Sequence, residues 1–184
     1  MISKSINTYI SLFLLLMISI CSCKTEQKSQ SVASAEKLIE RLMPEHKDSF
    51  IIQEITSEIG ADIFEIEQGE NDKIIIRGNN AVSIASGVNY YLKHVTNSHV
   101  SWNGNQLDLP SKLPKVVEKI SKDTHYMYNF NFNYCTFNYS MPWWDWARWE
   151  QEIDFMALND VNMPLAIVGM EAVWFNFLKR YNYS

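Results

Sequence analysis

The chain lacks a basic surplus, has few cysteines and histidines, and carries only one long apolar stretch. Its 184 residues have a net charge of −5 and a pI near 5.4. No lysine or arginine stripe interrupts that balance, which excludes a surface that tracks phosphates and, with it, nucleic-acid partners. The histidines, His46, His94, His99 and His125, show no ligand spacing and no accompanying thiol or acid cluster. A metal is therefore not expected, and neither is a cofactor. Cys21 and Cys23 stand near the N-terminus, which leaves Cys135 alone. A lone thiol forms no internal disulfide. Nothing around it marks an activated thiolate, so a Cys135–His125 nucleophilic pair is set aside. The apolar stretch, Ile10–Ile20, is too short to cross a bilayer.

That stretch does have the form of an export signal. Lys4 supplies a positive start, Ile10–Ile20 an apolar centre, and Ile20-Cys21-Ser22-Cys23 follows. The last four residues resemble the lipobox of bacterial lipoproteins, with small Ser22 before Cys23. Residues 1–23 are thus expected to be a lipoprotein-type signal peptide, with Cys23 as the lipidation site. The expected product is exported and membrane-anchored, at the periplasmic face or the cell surface. Residues 24–34 are polar and read as a flexible tether.

With 47% hydrophobic and 20% charged residues, the remainder can bury a core. Ala35–Met43 has helical spacing and stops at Pro44. Ser49–Thr56, Asp62–Gln68 and Lys73–Arg77 read as strands, the last two as a hairpin around Gly69–Asp72. Ala81–Val95 returns to helical spacing, with Asn80 as N-cap and Gly87 allowing close approach to the sheet. His99–Trp102 and Gln106–Leu109 read as short strands around Asn103-Gly104. Pro110 and Pro114 mark a boundary, so residues 35–118 are expected to form a small α/β domain without a catalytic constellation.

Residues 119–184 begin with a linker or leading strand, Lys115–Asp123, that spans the boundary. Tyr126, Tyr128, Phe130, Phe132 and Tyr134 alternate at strand period through Thr124–Tyr139. Asp145–Asn159 reads as a helix with Trp146, Trp149, Ile153, Met156 and Ala157 along one buried stripe. Glu150, Glu152 and Asp154 would face away, as a solvated surface or with Arg148 as a partner. Met163–Val168 reads as a buried strand and Ala172–Tyr181 as another helix. The order strand, helix, strand, helix opens a parallel α/β layout.

Four of the six tryptophans, Trp143, Trp144, Trp146 and Trp149, crowd this region beside Asn133-Tyr134-Cys135-Thr136 and Tyr139-Ser140. Helix packing explains these rings better than sugar stacking. Together with Asp145, Ala147-Arg148 and Glu150, then Glu152-Ile153-Asp154, Met156–Asn159, Gly169 and Glu171–Trp174, they resemble the start of the catalytic domain of the α-N-acetylglucosaminidases. His99–Gly104 resembles the closing segment of that family's small N-terminal domain. The resemblance covers roughly residues 35–181. It implies an α/β fold: a small N-terminal α/β (α+β-like) domain, then the first strand–helix units of an incomplete (β/α)8 barrel.

The resemblance further implies an exo-acting retaining glycosidase that removes terminal α-linked N-acetylglucosamine from glycans. Its catalytic pair would be two glutamates further along the barrel. A full barrel takes about 250 residues, so no catalytic residue is expected in this chain, which would be inactive alone. Asn133, Cys135 and Tyr139 are expected near the end of the first strand as contacts to the sugar, and Glu171 after the second. Val168 and Met170 depart from the small polar residue and glutamine expected there, which weakens the case for Glu171. Asp160 stands where a glycine would end the helix, and Phe155 where tryptophan is usual. The competing reading is a lipid-anchored glycan-binding or accessory protein without catalysis. The apolar Met163–Val168 argues against it, since a stand-alone binder would need polar cover there.

Overall fold

The computed structural model describes residues 28–58, 60–124, 126–166 and 169–183. The signal-peptide reading and Cys23 lie outside these residues. Helix α1 spans Gln30–Leu42, with Ser29 as N-cap accepting from the Val32 N–H at 3.2 Å. It therefore begins inside the stretch read as a tether. Val32 and Ala35 are buried with Leu38 and Ile39, which gives those polar-looking residues a packed face. Pro44 ends the helix, as expected, and a 3-10 segment, Pro44–Ser49, leads into the sheet.

Strands β1 (Phe50–Glu54), β2 (Ile63–Gln68), β3 (Ile74–Gly78) and β6 (Ile120–Asp123) form one sheet in the order β1-β3-β2-β6. β1 and β3 are parallel, while β2 runs antiparallel to both β3 and β6. Alternation puts Phe50, Ile52, Ile66, Ile74 and Ile76 on one face, against α1 and helix α2 (Ala81–His94). The other face is polar: Arg77 pairs with Glu67 at 2.6 Å and approaches Glu65. In α2, Asn80 caps the Ser83 N–H at 2.9 Å. A methyl group on Gly87 would stand 2.9 Å from Ile76 Cγ2, so helix and sheet meet there at backbone distance. Tyr91 is fully buried and donates to the Pro114 carbonyl at 2.6 Å. Burial pushes its phenol up to about 12.

Among the described residues, β4 (His99–Ser101) and β5 (Gly104–Gln106) pair only with each other. The turn is therefore Trp102-Asn103, and the return strand begins two residues before the expected Gln106. β6 also extends the sheet past residue 118, because Ile120 pairs with Ile66. Leu113 and Val116 are buried on the way, and the Val116 N–H bonds Gln68.

Beyond Asp123 the strand expectation shrinks. Among the described residues of Thr124–Tyr139, only Phe130–Asn131 (β7) is assigned as strand, and Thr136–Tyr139 forms one short helix, α3. Helix α4 (Trp146–Leu158) follows, capped by Asp145, which accepts from the Arg148 N–H at 2.9 Å. β8 (Met163–Pro164) returns parallel to β7, so β7–α4–β8 is a βαβ unit. Both β8 residues are exposed, in contrast to the buried strand expected over Met163–Val168, of which Ile167 and Val168 lie outside the described residues. Helix α5 (Met170–Lys179) has no buried residue.

The orientation of α4 keeps Met156 buried and Ala157 against the core, as expected, but turns Trp146 and Ile153 of the expected stripe outward. Trp146 is 69% exposed and Ile153 46%, whereas Glu152 and Asp154 are buried together with Met156 and Leu158. The acids face cations and donors held by other elements. Arg41 of α1 grips Asp154 at 2.6 and 2.8 Å. Leu158 joins the core of the N-terminal domain, and Asn89 of α2 donates to its carbonyl at 2.9 Å. One of the carbonyls left open at the end of α4 is thereby satisfied.

Candidate functional site

A tight hydrogen-bonded loop follows β7. Phe132 adopts φ +72°, which turns the chain sharply after the strand. Asn133 then folds back on its own backbone: its Oδ1 accepts from the Cys135 N–H at 2.9 Å. The Asn133 N–H donates to Thr136 Oγ1 at 3.2 Å, and Asn133 Nδ2 to the Tyr139 hydroxyl at 3.2 Å. The Thr136 and Tyr139 hydroxyls lie 3.5 Å apart. Hydrogen bonds from Thr136, then Asn133, hold the Tyr139 phenol below its usual value.

Three predicted residues, Asn133, Cys135 and Tyr139, are thus brought into one loop at the C-terminal end of β7. All three are exposed, with Cys135 at the cap position of α3. Glu171 lies after β8, in the exposed first turn of α5. It follows the same end of the parallel pair, but no hydrogen bond among the described residues joins it to the other three. Thr136 was missing from the expected set. Its place three residues after Asn133, where a hydroxyl reaches back to a turn, is the signal that could have found it.

The Asn133 amide and the Tyr139 phenol, joined at 3.2 Å beside an exposed Cys135, can exchange hydrogen bonds with hydroxyl or acetamido groups, since the amide both donates and accepts. Proton transfer at a glycosidic bond needs carboxyl groups, and no carboxylate bonds to this loop among the described residues. Glu152 and Asp154 are committed to Arg148 and Arg41 instead. A separate cleft of about 540 Å³ opens between the β4–β5 hairpin and α4. Trp102, Asn105, Arg41 and Gln151 line it, and none of the four predicted residues does. It marks the seam between the domains.

At that seam, Asp160 ends α4 in the left-handed region at φ +61°, in agreement with the glycine expected there. Its carboxyl accepts from Asn129 Nδ2 at 2.6 Å and Ser86 Oγ at 3.4 Å. Burial and then the charge of Asp62 push it above the usual carboxylate range, against those two hydrogen bonds.

Two domain models match in series. Residues 33–115 match the Alpha-N-acetylglucosaminidase (NAGLU) N-terminal domain, and residues 129–184 the tim-barrel domain of the same family. Human alpha-N-acetylglucosaminidase is 37% identical over 151 residues, covering 80% of this chain and 20% of that protein. A Family 89 glycoside hydrolase from Clostridium perfringens, solved with 2-acetamido-1,2-dideoxynojirmycin, superposes with a TM-score of 0.78 at 37% identity. The match covers 84% of this chain and 18% of that one. A variant from Clostridium perfringens with two glutamates changed to glutamine, in complex with its substrate GlcNAc-alpha-1,4-galactose, gives 0.77 at 38% identity over the same shares. The chain spans about a fifth of the length of the relatives it matches. With both domain models in register and in order, the chain belongs to the α-N-acetylglucosaminidase family, as its N-terminal domain and the start of its barrel domain.

Proposed function

We propose that these residues are the N-terminal part of an exo-acting, retaining glycosidase that removes terminal α-linked N-acetylglucosamine from glycans. The observation that carries this reading is the loop Asn133–Tyr139: it follows the first strand of the barrel domain, at the end where barrel enzymes build their sites. In that role Asn133 and Tyr139 hydrogen-bond the sugar, and Cys135 leaves room for its ring. Retaining hydrolysis then uses two carboxyl groups about 5–5.5 Å apart, one as nucleophile and one as acid and base. We assign neither to these residues, and the chain alone is read as inactive.

The competing reading, a glycan-binding accessory protein, is disfavoured by α5. Val173, Trp174 and Phe175 are all more than half exposed, a surface that further barrel units would cover. The partners proposed are a glycan ending in α-linked N-acetylglucosamine and the membrane, through a lipid on Cys23. Labelling cells with radioactive palmitate tests the anchor: the label should enter the protein and be lost in Cys23→Ser.

The catalytic reading is tested by incubating residues 24–184 with GlcNAc-alpha-1,4-galactose. No release of N-acetylglucosamine is expected, while 2-acetamido-1,2-dideoxynojirmycin should shift the NMR signals of Asn133 and Tyr139. Hydrolysis by these residues alone would overturn the assignment of the chemistry elsewhere. Shifts confined to the seam cleft would overturn the role of the loop.

A further inference from the structure

Glu152, Arg148 and Trp102 form a cluster outside the candidate sugar loop. Glu152 is 1% exposed, yet its Oε2 accepts two hydrogen bonds, from Arg148 Nη2 at 2.9 Å and from Trp102 Nε1 at 2.5 Å. Trp102 sits at the tip of the β4–β5 hairpin, and its ring is half exposed. Arg148 also lies over two rings, 4.1 Å from the centroid of Trp144 and 5.4 Å from that of Trp102. Trp144 in turn meets Trp149 edge-on at 5.0 Å.

These contacts join two parts of the chain that share no strand pairing. Trp102 belongs to the N-terminal domain. Trp144 belongs to the segment that leads from the candidate sugar loop into α4, separated from Tyr139 by Ser140-Met141-Pro142-Trp143. The side-chain hydrogen bonds of Asn133, Thr136 and Tyr139 are internal to the loop. Among the described side chains, they give it shape without joining it to the rest of the protein. Its attachments are β7 at one end and, at the other, buried Met141 with the Trp144 N–H bonded to the Met141 carbonyl at 3.1 Å. The Arg148 clamp on Trp144 therefore sets where the loop leaves off. A buried carboxylate depends on its partners, because removing one of them leaves an unpaired charge. This one aligns a cation between two rings from different domains.

We propose that Trp102 and Glu152 are positioning residues for the Asn133–Tyr139 loop. Through Arg148 and Trp144 they hold its C-terminal end, which makes the N-terminal domain a working part of the pocket. That the pocket takes a sugar rests on the function proposed above; the dependence of loop order on Trp102 does not.

The test is hydrogen–deuterium exchange on the purified full chain, comparing Trp102→Phe, Glu152→Gln and, as control, Trp146→Phe. Phenylalanine keeps a smaller ring beside Arg148 and removes the indole donor. Its site is a half-exposed hairpin tip, so folding is not at risk. Exchange across residues 133–145 should rise about tenfold in Trp102→Phe and Glu152→Gln, with residues 74–92 unchanged in both and the urea midpoint unchanged in Trp102→Phe. The double variant should add little to either single one, and the control should match the parent. Unchanged exchange at 133–145 in Trp102→Phe would overturn the proposal. So would an equal rise at 74–92, which marks a general loss of stability. If exchange behaves as expected while 2-acetamido-1,2-dideoxynojirmycin perturbs nothing in the parent chain, the positioning stands and the sugar reading of the loop falls.

Discussion

The two regions of this molecule use similar apolar material to opposite ends. In the N-terminal domain, Ile66, Ile76, Ile84, Val88 and Leu92 are wholly buried between the sheet and α2. In α5, Val173, Trp174, Phe175 and Phe177 are all exposed. The first region closes its own core, because one sheet face is covered by two helices. In the second, no other described element covers the apolar side chains of α5. Apolar content alone does not decide burial; the number of neighbouring elements does. α4 divides the difference, with Leu158 inside the closed core and Trp146 outside it.

The largest effect that sharpens this contrast is a core truncation. Ile76→Ala, at the centre of β3, should lower stability by about 3–4 kcal/mol in urea unfolding. Phe175→Ala in α5 should stay within about 0.5 kcal/mol. Equal losses would show that α5 is packed as firmly as β3.

Next comes the seam. Arg41→Ala leaves buried Asp154 without its two charged hydrogen bonds and should destabilise by about 2 kcal/mol. The same substitution should release α4, seen as new protease cleavage between Asp145 and Asn159. Stability loss without that cleavage would place the role of Arg41 inside α1 instead.

A smaller effect depends on pH. The carboxyl of Asp160 is raised in the folded state, so folding favours its protonated form. Its contribution is fully present below the unfolded value near 3.8 and is lost as pH rises through the raised folded value. Parent and Asp160→Asn should therefore differ most above that value, with the parent less favoured, and converge as pH falls towards 3.8. A constant difference across this window would contradict the burial of Asp160 beside Asp62.

The smallest concerns the loop. Tyr139 should titrate below 10, and Thr136→Val should move it upward, read from its ring-carbon NMR shift. An unmoved phenol would mean that the Thr136–Tyr139 contact does not form.

Much of the closed region was legible in the sequence. The β2–β3 hairpin, the Asn80 cap and the close approach at Gly87 are local features, and each appears where turn chemistry or spacing put it. The family resemblance was legible too, in the run from Asn133 to Glu150. What failed depends on distant partners. Glu152 does have the Arg148 partner that its spacing offers, but its burial beneath Trp102, and the grip on Asp154 by Arg41 from 113 residues away in sequence, are not visible in local pattern. The aromatic alternation of Thr124–Tyr139 suggested a long strand, but the Asn133 side-chain bonds compete with extension and curl the chain after Asn131. At residues 30–34 polar composition hid a helix start, because the Ser29 cap outweighs the scarcity of apolar residues.

The most direct test of the central comparison is limited proteolysis of the purified chain, with the surviving fragment weighed by mass spectrometry. A resistant core that begins near Ser29 and ends between Leu158 and Asn162, with α5 cut away first, is the expected result. A core that ends near Asp123 would mean α4 is not docked on the N-terminal domain, and a resistant α5 would mean the second region closes on its own; either would contradict the account.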